Sequence, residues 1–411
     1  MKYLVFATKF SLMSLILASS LVSFQPVLAK QPTDVGQEKE KNKKVCDIDS
    51  DTLVSCHARV VVDAQGQPKA AQLPAGLSPA QMRSAYNVAN ISLAAATNRT
   101  VAIVDAYDDP NAFADLTTYS QTFGIAPTIN QCAASTGTAA APCFQKVNQT
   151  GTTKMPATNA GWALEISLDV QTVRAICPQC NILLVEANSA SYTDLMTAVD
   201  RAVSMGAKVV SNSYGSSEFN TEASFDSHFN KPGVAFTVSS GDNGFGAQYP
   251  AASRYVTAVG GTTLNMSGLT RLSETAWSGA GSGCSLYEAL VTGQTADATC
   301  AKRKISDVSA VADPATGAAV YDTVRYSGKS GWFKVGGTSL AAPLIASIYA
   351  LAGPTGYASI PANSLPYANF NSLNDVLTGN NGTCAGTYLC TAKIGYDGPT
   401  GMGTPNGLGA F

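Results

Sequence analysis

Ser339, in GGTSLAAP (Gly336 to Pro343), is the residue of this 411-residue chain best placed to act as a nucleophile. The small-residue turn Gly336-Gly337-Thr338 precedes an apolar run from Leu340 to Leu351, so Ser339 stands at a predicted helix N-terminus. Backbone N–H groups point outward there and can hold an anion. A plain N-capping serine would leave the same trace. A nucleophilic serine also needs a proton acceptor. Histidine, the usual one, occurs only as His57 and His228, neither in a Gly-rich, helix-opening setting.

Carboxylates offer another base. Glu165 and Asp169 fall in a helical pattern from Trp162 to Ile176. At that spacing they leave one helical face about 40° apart. Two adjacent carboxyls can share a proton, which raises one apparent pKa and lets the pair accept a hydroxyl proton and return it. A solvated acidic face is the alternative. Asp242, in SSGDNG (Ser239 to Gly244), follows a predicted strand directly. Carboxyl ends of strands are where α/β sheets place ligand-contacting groups. A protonated Asp there can donate a hydrogen bond to a developing oxyanion, or it can simply satisfy turn amides.

The elements that must position these residues alternate along the chain. Thr100 to Ala106, Ile182 to Ala187, Lys208 to Ser213, Val234 to Ser239 and Val256 to Gly260 are short, apolar and rich in β-branched residues. Helical patterns separate several of them, including Trp162 to Ile176 and Tyr192 to Met205. This predicts an α/β fold: a buried parallel sheet with helices on both faces. Ser78 and Pro79 mark a helix start near the beginning of the main domain, expected over 77–411. Residues 279–326 read as irregular surface loops, and the Gly-, Pro- and Asn-rich chain from Gly353 as a loop-rich tail with aromatic anchors.

Ahead of that domain, Lys2 and Lys9 flank an apolar run closing on Val27-Leu28-Ala29, which predicts a signal peptide over 1–29 and export. Residues 30–76 read as a short pro-segment or N-terminal extension. The ten cysteines form sequence-adjacent couples: Cys46/Cys56, Cys132/Cys143, Cys177/Cys180, Cys284/Cys300 and Cys384/Cys390. In an exported chain these suggest local disulfides. Charged residues make up 13% of the chain and the net charge is −2, which argues against a nucleic-acid partner. No other run is long and apolar enough for a membrane span, so no stable membrane association is expected after signal cleavage.

In order along the chain, GWALEISLD (Gly161 to Asp169), SNSYG (Ser211 to Gly215), SSGDNG, GGTSLAAP, NDVLTGNNG (Asn374 to Gly382) and GYDGPTGMGTPNG (Gly395 to Gly407) resemble the sedolisin family of serine-carboxyl peptidases. The resemblance implies a subtilisin-like fold and a Ser–Glu–Asp triad. Ser339 matches the nucleophile, Glu165 the general base, Asp169 its proton-sharing partner and Asp242 the oxyanion-stabilising acid. It further implies acid-pH hydrolysis of protein or peptide substrates by a secreted, monomeric endopeptidase. Substrate is expected to lie extended along Ser213, Tyr214 and Gly215. One structural Ca²⁺ is implied, held by Asp375 and Asp397 with carbonyl oxygens of Val376, Lys393 and Gly395. Asp105 is expected to play an outer role, reaching towards Tyr214, where many relatives carry Trp. The family's long folded pro-domain contrasts with the short 30–76 extension, so activation is not carried over. A non-catalytic binding protein that retains the fold is the rival reading.

Overall fold

The β-branched runs become the parallel strands of one large sheet, in a computed structural model that describes residues 40–46, 53–91, 99–132 and 142–411. Its principal strands are β1 (Thr100–Ala106), β2 (Cys143–Asn148), β3 (Asn181–Ala187), β4 (Val209–Asn212), β5 (Ala235–Ser239), β6 (Thr257–Ser267) and β7 (Val308–Val311). They lie in the order β2-β3-β1-β4-β5-β6-β7, all parallel, with Asn130–Gln131 beside β2 and Thr270–Ala276 antiparallel to the far end of β6. From β1 the sheet grows one way through β3 and the other way through β4. Such a switch point opens a crevice at the strands' carboxyl ends. Asp105, Asn212 and Ser239 stand at those ends.

Three helices matter for the site: α1 (Ala160–Ile176), α2 (Tyr192–Ser204) and α3 (Thr338–Ala352). Asn159 starts α1 by accepting N–H bonds from Gly161 and Trp162 at 3.0 and 3.1 Å, the usual remedy for unpaired amides at a helix start. Every residue of α1 from Trp162 to Ile176 is buried, because α1 packs against α3 and the sheet on one side and against the strand Ala318–Tyr326 on the other. The solvated acidic face, the alternative for Glu165 and Asp169, is therefore ruled out. In α3 everything from Thr338 to Leu351 is buried, as its apolar composition demands.

One region differs from expectation. Within 279–326, read as surface loops, lie the buried strand β7 and the first strand, Ala318–Tyr326, of a hairpin completed by Lys329–Gly336. A buried ion pair between Arg303 and Asp307, both 0% exposed, supports β7 from below. The described part of the N-terminal extension does not stand apart: Glu40 to Phe411 is one compact unit, and Arg59–Val61 pairs with Val335 and Gly336. Asn42–Lys44 adds a further strand to Arg59–Val61. The expected signal peptide lies outside the described residues. All ten cysteines pair as the sequence couples them, and no helix among the described residues is long and apolar enough to cross a membrane.

Candidate active site

Helix α3 begins at Thr338, with Gly337 as its cap, so Ser339 is its second residue and not a capping serine. Gly337 has φ 102°, and a Cβ there would overlap the His57 carbonyl oxygen and lie 2.5 Å from Asp242 Oδ2. Only glycine fits that crowding and that backbone without strain. The Ser339 hydroxyl donates to the Ser213 carbonyl at 3.3 Å, while the Ser339 N–H donates to the His57 carbonyl at 3.3 Å.

Asp242 follows β5 and reaches the same helix start. Its Oδ1 accepts from the Thr338 N–H at 2.7 Å and the Thr338 hydroxyl at 2.9 Å; its Oδ2 has no hydrogen-bond partner among the described residues. One oxygen thus satisfies the amide at the start of α3, and the other makes no hydrogen bond among the described residues. Burial pushes its pKa up to about 7, against the opposing pull of the Thr338 donors and of Arg59 and Lys44. At acid pH the carboxyl is neutral and can donate.

Glu165 and Asp169 leave the interior of α1, both 0% exposed. Burial, then the charges of Asp169, Asp105 and Asp242, hold the Glu165 carboxyl well above its ordinary range, and the nearby Ser339 hydroxyl opposes that rise. Neither Glu165 oxygen has a hydrogen-bond partner in the present side-chain arrangement. Asp169 is also raised by burial, with Ser213 Oγ donating to its Oδ2 at 2.7 Å. Neutral or singly ionised carboxyls are the only tolerable occupants of such a place.

Ser213 thus does more than the sequence indicated. Its hydroxyl orients Asp169, and its carbonyl receives both the Ser339 hydroxyl and the His57 N–H, the latter at 3.0 Å. Gly215 lies where a side chain would run into the His57 ring. The Tyr214 hydroxyl donates to Asn212 Oδ1 at 2.8 Å, so the expected reach between Tyr214 and Asp105 is replaced by a contact within the same strand region. Asp105 is fully buried, its oxygens lack hydrogen-bond partners, and burial together with Asp169 and Glu186 raises its pKa. Glu186, pushed up to about 9 by burial, and Lys146, 3.6 Å from its Oε1, extend this acidic interior; the sequence reading singled out neither.

Of the histidines, His228 bonds Asp200 at 2.7 Å away from the crevice. His57 is in the crevice, which nothing in the sequence signalled. Its ring is no base for Ser339: Nδ1 bonds Ser239 Oγ at 2.7 Å, and burial lowers its pKa to about 3.

In the tail, Asp397 is buried and accepts from the Lys393 N–H at 3.0 Å and from Thr400, while Asp375 Oδ2 accepts from the Gly395 N–H at 2.8 Å. Two carboxylates are thereby hydrogen-bonded onto one turn, Lys393 to Gly395. The Lys393 ammonium sits over the Tyr388 ring, 4.9 Å from its centroid.

A sequence model described as the Subtilase family matches residues 157–364, just over half of the chain. The chain belongs to the subtilase family. Within it, the likeness is to sedolisins. Xanthomonalisin from Xanthomonas sp. (strain T-22) is 28% identical over 76% of this chain and 43% of its own length. Sedolisin from Pseudomonas sp. (strain 101) is 28% identical over 80% of this chain and 60% of its own. The chain therefore spans about half the length of these relatives. Among solved structures, Pseudomonas sedolisin, a serine-carboxyl proteinase complexed with two molecules of pseudo-iodotyrostatin, superposes with a TM-score of 0.66 at 27% identity, covering 81% of this chain and 96% of that one.

Proposed function

We propose that this chain is a secreted serine-carboxyl endopeptidase that cleaves proteins or peptides in acid through an acyl-enzyme on Ser339. The observation that carries the reading is the convergence at the start of α3: Ser339, the buried Glu165/Asp169 pair and Asp242 with one free oxygen. Glu165 takes the Ser339 proton as Oγ attacks the substrate carbonyl. Asp169 shares that proton, and Ser213 holds Asp169 in place. The developing oxyanion receives the Ser339 N–H and the protonated Asp242, donors fixed before the reaction starts. Glu165 then returns the proton to the leaving amine, and water hydrolyses the ester by the same relay. An extended substrate would pair along Ser213, Tyr214 and Gly215, starting beside Ser339, whose hydroxyl reaches the Ser213 carbonyl.

The acid preference follows from Asp242. Below about pH 7 it is protonated and donates; above, it is ionised and repels the oxyanion. The test is a pH profile of hydrolysis of a denatured protein for the wild type, Ser339→Ala and Glu165→Gln. Activity concentrated below neutrality and lost by roughly 10⁴-fold or more in Ser339→Ala is expected. Equal hydrolysis by all three, or an optimum at alkaline pH, would remove the reading.

The proposal includes a monomeric enzyme and one structural Ca²⁺. Asp375 and Asp397, with the carbonyl oxygens of Val376, Lys393 and Gly395, would hold the ion. It would neutralise two carboxylates and brace the tail, without entering the reaction.

A further inference from the structure

The strand along which substrate is proposed to lie continues past Gly215 through Ser216 and Ser217, which pair antiparallel with Tyr249 and Gln248. This two-stranded wall of the crevice is held from outside. The Tyr192 hydroxyl bonds Ser216 Oγ and the Tyr249 carbonyl, each at 2.8 Å. The Tyr249 hydroxyl and Ser253 Oγ donate to Asp226 Oδ1 at 3.2 and 2.6 Å. Glu218, the residue after the strand, accepts from Ser285 Oγ and from the Leu286 N–H, the latter at 3.0 Å, which ties the wall to residues 285–288. There the Glu288 N–H donates to Ser285 Oγ at 2.8 Å. Two further carboxyls meet these acceptors. Glu222, which opens the short helical turn Glu222–His228, lies within hydrogen-bond reach of Glu218, and Glu288 lies within reach of Asp226 in that turn. Glu218 and Asp226 accept from the outside donors just named. Glu222 Oε2 accepts from the Phe219 N–H at 2.8 Å, but Glu222 Oε1 and Glu288 Oε1 are buried and have no hydrogen-bond partner among the described residues. Glu222 is 0% exposed and Glu288 3%. Two ionised carboxylates repel at such contacts, whereas a proton on the unpartnered oxygen makes each an O–H···O⁻ hydrogen bond.

We propose that Glu222 and Glu288 are positioning residues for substrate, bracing the wall Tyr214–Ser217/Gln248–Tyr249 by donating their carboxyl protons to Glu218 and Asp226. They act through those two carboxylates, one beside Ser217 and the other on the Tyr249 hydroxyl, and touch no reacting atom. Burial, then the neighbouring acids Asp226 and Glu218, pushes Glu288 up to about 7; burial and Glu218 push Glu222 to about 9. Glu288 therefore gives up its proton first as pH rises, and its contact with Asp226 becomes repulsive near neutrality while the Glu222 contact persists. The cations nearby are otherwise engaged. Arg254 draws Asp226 down, which keeps Asp226 the ionised partner. Arg303 is paired with Asp307, the Lys302 ammonium bonds the Tyr287 carbonyl at 3.1 Å, and His228 and Lys231 both bond Asp200. The phenols of Tyr192 and Tyr249 also face the cluster, and burial keeps them neutral. In acid the wall is braced at both contacts. Above neutrality it is braced at one, and an extended substrate pairs with a looser edge. This raises KM, separately from the effect of Asp242 on the chemical step.

This inference rests on the peptidase reading, and two readouts keep their failures apart. Wild type, Glu288→Gln and Glu288→Ala are assayed on an added denatured protein from pH 5 to 8, with KM and kcat resolved. Glutamine keeps a donor towards Asp226 and does not titrate. The wild type is expected to show KM rising at least ~5-fold from pH 5 to 8, Glu288→Gln a rise below ~2-fold, and Glu288→Ala a KM already at least ~5-fold above the wild type at pH 5. The decline in kcat assigned to Asp242 should be common to the wild type and Glu288→Gln. Independently of activity, hydrogen exchange at the Leu286 and Glu288 amides is followed in Ser339→Ala and in Ser339→Ala/Glu288→Gln, each rate corrected for the intrinsic exchange at that pH. Protection is expected to fall at least ~5-fold between pH 5 and 8 in the first and to hold in the second. Equal protection at the two pH values in Ser339→Ala, or a KM that behaves alike in the wild type and Glu288→Gln, would overturn the inference, and hydrolysis in acid would leave the peptidase reading standing. No hydrolysis by the wild type at any pH would remove both.

Discussion

In the proposed mechanism, Asp242 is the residue at which pH enters the chemistry. Its Oδ1 is committed to Thr338, and its Oδ2 serves the oxyanion only while it carries a proton. Asparagine in its place would keep an acceptor for Thr338 and supply an amide donor that does not titrate. Asp242→Asn is therefore expected to retain measurable activity at acid pH and to lose the decline through pH 7 expected of the wild type. Comparing kcat/KM profiles from pH 4 to 9 checks this, and an unchanged alkaline limb would assign the limb to another group. Asp242 was legible because Gly residues surround it directly after a strand. His57 was not: it sits in a polar segment with no apolar period, and its place depends on pairing with Tyr214, more than 150 residues away, which local patterning does not encode.

At the scale of elements, helix α1 shows what spacing reveals and what it hides. The interval between Glu165 and Asp169 could be read from the sequence. Their burial could not, because part of it comes from a second layer, the strand Ala318–Tyr326, in a stretch that read as loops. Strand β7 was missed for a related reason: five residues between Asp307 and Asp313 give too little apolar run to stand out. The tail loop carries its own prediction. If Asp375 and Asp397 hold Ca²⁺, the ion binds the folded chain alone and stabilises it by mass action, about 2.7 kcal/mol at a hundredfold excess over Kd. Melting of Ser339→Ala, chosen to avoid self-digestion, is expected at a lower temperature in EGTA than in millimolar calcium, and Asp397→Asn should shrink that difference. Identical melting in both solutions for Ser339→Ala would reject the site.

Taken whole, the molecule buries far more carboxyl groups than an ordinary domain tolerates, and few have cationic partners. Burial pushes Asp109 up to about 7, Asp322 to about 8, Glu186 and Glu222 to about 9, and Glu288 to about 7. In each the folded chain holds its proton more tightly than the unfolded chain does. Below about pH 4 both states are protonated and nothing is lost. As pH rises from there the unfolded chain releases these protons first, and the cost to folding grows until each folded pKa is passed, near pH 7 to 9. His57, depressed to about 3 by burial, acts the other way, penalising the fold as pH falls below its ordinary value. Five carboxyls against one imidazole decide the sign. With calcium held constant, Ser339→Ala is expected to melt at least roughly 5 °C higher at pH 5 than at pH 8. Melting that is flat or rises towards pH 8 would mean that these carboxyls are ionised in the folded protein. The proton-sharing pair beside Ser339 would then lose its physical basis too, since burial raises it in the same way.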